Sequence, residues 1–137
     1  MPVPWPLDRQ RAYIPNIAER ALTLKQLFDL RSFLQRLCKA KLLKKLQWHD
    51  LNLYQVRDEV IKPVICFREG VETKGYSWAE LVAKGPQPPQ LMISHWWGGR
   101  FLDFMSAIDK IADGRPGNGG SENACILRAL WAMRHVG

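Results

Sequence analysis

The sequence predicts an α-rich α/β fold with little β structure, and three observations predict it. Apolar residues recur at helical spacing through long N-terminal stretches, with Leu27, Leu30, Leu34 and Leu37 three and four residues apart. A single short apolar run, LMIS at 91–94, stands between breakers and reads as the strand. A glycine pair and a second helical pattern follow it, so residues 91–111 form a strand, a turn and a helix. That is the opening unit of an α/β sheet.

A chain of 137 residues, 47% hydrophobic and 24% charged, holds one domain with a sizeable core and is not a disordered tail. No apolar run approaches the roughly 18 residues that a transmembrane helix needs. The N-terminus, MPVPWPLDRQR, lacks the basic start and apolar centre of a signal peptide, and its prolines favour an extended arm. The arm is assigned to residues 1–22 and a single helical-rich domain to 23–137. Within that domain, 23–66 is a basic helical part, 76–112 the strand–helix unit and 121–137 a terminal helix. Cys38, Cys66 and Cys125 are odd in number and far apart, without CxxC or zinc-finger spacing. Reduced thiols in a cytoplasmic setting follow, and neither metal nor cofactor is expected.

Thr23 and Gln26 have the T-x-x-Q form of a capping box, flanked by Leu22 and Leu27 at staple positions. The helix they open is expected over 24–46, with a bend near 39–41. Asp50 or Asn52 caps a second helix over 53–61, which Pro63 should end. Residues 64–67 are an edge strand or core filler. Ser77 and Glu80 form a second capping box for a short helix reaching Val82. AKGPQPPQ (83–90) is a connector that proline excludes from helix and central strand. A helix over 100–112, a GRPGNGG loop (114–120) and a last helix from Ser121 to Met133 complete the expected order.

The chemistry concentrates at ISHWWGGR (93–100). Strand alternation puts Leu91, Ile93, His95 and Trp97 on one face, and Met92, Ser94 and Trp96 on the other. Both faces look apolar, as in a central strand covered by helices. Beyond the strand the glycines release the chain, so Trp96 is expected to plug the core while Trp97 swings to the rim. His95, Trp97, Gly98, Gly99 and Arg100 are therefore the ligand-binding candidates, with Arg100 at a helix start facing an anion or an indole. The plainer explanation is that one Trp fills the core and the glycines turn the chain, since the phosphate-loop lysine and GxGxxG spacing are missing. Ser94 and His95 point to opposite faces and are poorly placed to share a proton, so no catalytic residue is assigned.

The second feature is charge. The net charge is +7, and residues 31–48 carry six basic side chains and no acidic one. Arg36, Lys39, Lys41, Lys44 and Lys45 are the basic-face candidates. A solvated helix face explains them most simply. An anionic membrane surface is a second reading, and calmodulin a third, with Phe33 and Leu46 as anchors. Nucleic acid is disfavoured, because the lysines are not interleaved with stacking aromatics.

At DLNLYQVRDEVIKP (50–63), YSWAELVAKGPQPPQ (76–90) and LMISHWWGGRFLDFM (91–105) the chain resembles the uncharacterised "SHWWG" family of protist proteins, abundant in dinoflagellate-type algae. The likeness covers residues 50–112. The Ile-Ser-His strand and following helix are also similar to the opening of a Toll/interleukin-receptor (TIR) domain. The resemblance implies a TIR-like, flavodoxin-like module used in signalling or assembly, in some cases cleaving NAD. In that family the first helix leads to a second strand, whereas GRPGNGGSENACILRALWAMRHVG (114–137) reads as loop and helix. The segment carrying the family's catalytic glutamate has no counterpart. The expectation is a non-catalytic TIR-like interaction module in truncated form, working through a protein partner or self-association. The alternatives are a TIR-like NAD hydrolase whose catalytic part is missing, and a basic-helix adaptor for calmodulin or acidic membrane.

Overall fold

A computed structural model describes residues 12–43, 46–66, 76–93, 96–114 and 125–135. The fold is an α-rich α/β arrangement, with six α-helices and a three-stranded mixed sheet among the described residues. The chain enters through a 3-10 turn, Ile17–Glu19, capped by the Asn16 side chain, and then forms β1 (Leu22–Thr23). The Thr23–Gln26 capping box closes in both directions, Thr23 Oγ1 accepting from Gln26 N–H and Gln26 Oε1 from Thr23 N–H. It opens α1 (Leu24–Lys39), whose buried face is Leu24, Leu27, Leu30, Phe33, Leu34 and Leu37.

The first helix is shorter than the spacing predicts. Lys41 adopts φ 57°, a left-handed conformation, and its N–H returns to the Cys38 carbonyl while Leu42 N–H returns to Leu37. Those bonds close the orphan carbonyls of the last turn and end the helix at Lys39. Glycine is the residue that takes this position without steric cost; a lysine there is strained. The later leucines, Leu43 and Leu46, pack on the core from a loop instead.

The second helix is longer than predicted. Asn52 and Gln55 form a capping box for α2 (Leu53–Val56). A π-turn, Arg57–Ile61, follows, and then α3 (Lys62–Cys66), continuous through Pro63. In an α-helix the proline ring would clash with the carbonyl four residues back. The wider π-turn, where Lys62 N–H bonds the Arg57 carbonyl, removes that clash. Val64 and Ile65 are therefore helical core residues, which excludes the edge strand, while Phe67 lies outside the described residues.

The Ser77–Glu80 box opens α4 (Trp78–Val82) as the spacing predicts. The connector leads to β2 (Leu91–Met92), and after the tryptophan turn comes α5 (Phe101–Gly114). Residues 115–124, including Ser121, lie outside the described set. The expected last helix is replaced by β3 (Cys125–Leu127) and a single turn, α6 (Ala129–Ala132). β3 lies at the sheet centre, antiparallel to β1 (Leu22↔Ile126) and parallel to β2 (Leu91↔Ile126). So β2, α5 and β3 make a parallel crossover, and Cys-Ile-Leu at 125–127, expected in a terminal helix, is a strand.

One aromatic stack and a run of tilted rings pack in the core. Phe33 lies on Trp78 with ring centroids 6.4 Å apart. Phe101, Phe104 and Trp131 continue at 6.1 and 6.0 Å, and Trp131 Nε1 donates to the Ile126 carbonyl at 3.0 Å. Arg31 bridges α1 to α5 through both oxygens of Asp109, at 3.0 and 2.8 Å.

Part of the assigned arm belongs to the fold. Ile14, Ala21 and Leu22 are buried, and Ile14 N–H donates to the Glu80 carboxylate at 2.8 Å. Glu80, itself 0% exposed, also takes Arg134 Nε and Nη2 at 2.9 and 2.8 Å. Arg20 donates to the carbonyls of Ile14 and Ala132 at 2.8 and 3.0 Å. One carboxylate and two guanidinium groups thus tie the described ends of the chain to α4.

Candidate functional site

The tryptophan turn is built as a helix cap. Gly99 N–H donates to the Trp96 carbonyl at 2.9 Å, closing the turn. The Gly99 carbonyl then accepts from Leu53 N–H at 3.2 Å, and the Trp97 carbonyl from Tyr54 N–H at 3.3 Å. These are first-turn donors of α2, which have no partner inside their own helix. Phe101 N–H bonds the Leu51 carbonyl at 2.6 Å, and Asn52 and Arg100 bridge antiparallel, so turn and helix start are laced together. A helix start covered this way offers little to an anion. The glycines serve close approach: a Cβ on Gly98 would lie 2.5 Å from the Trp96 ring.

The two tryptophans occupy the reverse of their expected places. Trp96 is 77% exposed, its indole lying over Gly98. Trp97 packs against the core, stacked on Tyr54 at 5.5 Å with 24° between planes. Arg57 lies 5.4 Å and Arg128 5.3 Å from its ring centroid. β2 itself spans only Leu91 and Met92; Leu91, Ile93 and Trp97 pack against the core, while Met92 and Trp96 are exposed. What fails is the expectation that both faces are covered, because β2 lies at an edge of the sheet.

Arg100 is exposed and paired with Asp103 of its own helix at 3.0 and 3.1 Å, so it meets neither indole. That hydrogen bonding raises its pKa. The arginines that do reach Trp97 are Arg57, held by Asp58 at 2.8 Å, and Arg128, whose Nη1 donates to the Ile93 carbonyl at 3.2 Å. Burial lowers the pKa of Arg128. Of the sequence candidates, the structure brings Trp97, Gly98 and Gly99 into one turn and leaves Arg100 on the surface of α5. His95, like Ser94, lies outside the described residues.

Beside the turn is a cleft of about 590 Å³ whose lining includes Ile17, Met92, Ile93, Trp97, Leu127 and Arg128. Met92, 77% exposed, and Ile17, 52% exposed, extend its apolar surface outward. Sequence reasoning missed Ile17, Tyr54, Arg57 and Arg128. Only the pairing of Met92 with Trp96 on one strand face was there to be read. Among the described residues no three His, Cys, Asp or Glu side chains group as metal ligands would.

The basic candidates do not form one helical face. Arg36 and Lys39 sit on the exposed side of the last turns of α1, and Lys41 follows in the left-handed cap. Lys44 and Lys45 lie outside the described residues. Phe33, 3% exposed and stacked on Trp78, is a core residue, and the helix stops before Leu46. That overturns the paired-anchor reading. No helix of the described residues is long and apolar enough to cross a membrane.

No family model, curated protein or solved structure matches the chain. The functional reading rests on the geometry above.

Proposed function

We propose that the protein is a non-catalytic interaction module of the TIR-like signalling type, working in the cytoplasm and assembling with further copies of itself through the open side of β2. The observation that carries this reading is the pair of exposed apolar side chains at the cleft, Met92 and Ile17, with Trp96 exposed on the turn that carries Trp97. Exposed apolar surface beside a cleft is the kind that marks contact sites. Trp and Arg are enriched where interfaces hold most of their energy, and this face carries Trp96, Trp97 and Arg128. An edge strand also offers backbone donors and acceptors to a neighbouring chain. The parallel β2–α5–β3 crossover supports the α/β part of the resemblance.

Sedimentation velocity over a hundredfold concentration range tests the reading. The expected result is a reversible shift to dimers or larger species at high concentration, with no nicotinamide released from NAD. A monomer throughout the range would overturn the assembly, and nicotinamide appearing with time would overturn the non-catalytic part.

A further inference from the structure

A second cleft, of about 640 Å³, lies at the C-terminal end of α1, on a different part of the chain from the face just described. We propose that it binds an amphipathic anion: an apolar chain or ring system carrying one carboxylate or phosphate. Its volume lies in the range of small-molecule sites, which are mostly apolar with a few placed polar groups. Leu43, Leu46 and Trp48 supply the apolar wall, and Lys39 and Lys41 the cationic rim. Among the described residues no carboxylate lines it.

The wall is set in advance by the core. Trp48 meets Phe101 edge-on at 5.9 Å, and Leu43 and Leu46 pack against the core cluster. Leu46 N–H bonds the Leu43 carbonyl at 3.2 Å, and Asp50 N–H bonds the Gln47 carbonyl at 3.0 Å. A preformed wall lowers the ordering cost of binding. The helix end does not oppose an anion as strongly as a bare one would. The carbonyls of Arg36, Leu37 and Cys38 are already engaged by Ala40, Leu42 and Lys41 N–H groups.

The second observation is Lys41 itself. Among the described residues it is the one non-glycine residue with positive φ, and glycine would close the same cap without strain. Stability alone does not explain a lysine at this position. Backbone strain of this kind gathers at functional sites, and here it places an ammonium group on the rim of an apolar cleft. An anionic head at that rim and an apolar body against Trp48 satisfy both halves of the site.

The test is calorimetric titration of the full chain with laurate below its micelle concentration, with dodecanol as the uncharged control. A flotation arm uses phosphatidylglycerol vesicles against phosphatidylcholine vesicles. Laurate is expected to bind and dodecanol to bind at least tenfold more weakly, tenfold being 1.4 kcal/mol. Lys41→Gly should melt higher than the wild type, because the strain is gone, yet lose about tenfold in affinity; Lys41→Arg should retain binding. Trp48→Ala should weaken laurate and leave the preference for the charged head. Binding confined to phosphatidylglycerol vesicles and lost in Lys41→Gly identifies a lipid headgroup as the source, whereas laurate binding without flotation identifies a free amphiphile. Equal binding of laurate and dodecanol, unchanged affinity in Lys41→Gly, or no binding in either arm overturns the proposal.

Discussion

Replacing Glu80 by alanine should destabilise the fold by about 3–4 kcal/mol, the cost of breaking a buried, hydrogen-bonded ion pair from one side. Its carboxylate accepts from Ile14 N–H, Ser77 N–H and Oγ, and Arg134, so its loss strands several donors at once. Water can reach Arg134, whose side chain is 28% exposed, and this keeps the expected cost below the upper end for such pairs. Acid should act in the same way. Burial pushes the Glu80 carboxyl pKa up, but hydrogen bonds from Arg134, Ile14 and Ser77 outweigh it and hold the pKa below the usual carboxylate range. A depressed folded pKa gives stability that is present above the unfolded value, roughly 4.3, and lost as pH falls through the folded one. Melting temperature measured from pH 6 to pH 2 should therefore fall more steeply below about pH 4 in the wild type than in Glu80→Gln. Parallel curves would mean that Glu80 does not titrate as the geometry requires.

Trp97→Ala should also destabilise the fold, by about 2–3 kcal/mol. That is less than for a wholly buried Trp, because the ring is only partly enclosed. The loss is specific: the stack on Tyr54, two guanidinium contacts and the inner wall of the cleft disappear together. Trp96→Ala, one residue away, should stay within about 0.5 kcal/mol, as surface substitutions do. Thermal melts of the two variants decide between the observed arrangement and its reverse, in which Trp96 would be the damaging position.

Local signals in the sequence were reliable where a few residues fix the backbone among themselves. Both S/T-x-x-E/Q boxes start their helices as read, because the reciprocal bonds span only three residues. The failures share a cause: another part of the chain decides. Ile126, Leu127, Leu130 and Met133 have helical spacing, yet residues 125–127 are held as a strand by β1 and β2 on either side. Pro63 reads as a stop, and a π-turn in the preceding residues carries the helix past it. The first helix ends at Lys39 because the chain accepts a strained, left-handed Lys41 just beyond it, which no propensity scale anticipates.

The candidate site was half legible. Met92 and Trp96 are exposed and Ile93 and Trp97 pack on the core, although the strand itself ends at Met92. Which face is open depends on β2 lying at the sheet edge, a property of the strand order β1-β3-β2 and not of the motif. The arginines around Trp97 come from a helix 40 residues upstream and a strand end 31 residues downstream, read from the positions of Arg57 and Arg128. No local pattern marks them.

The central claim is that the turn divides its tryptophans, Trp97 holding the fold and Trp96 meeting a second copy. Sedimentation velocity of Trp96→Ser beside the wild type, at matched high concentration, tests it most directly. The account predicts that the wild type associates and that Trp96→Ser remains a monomer with an unchanged melting temperature. Equal association of the two proteins would contradict it.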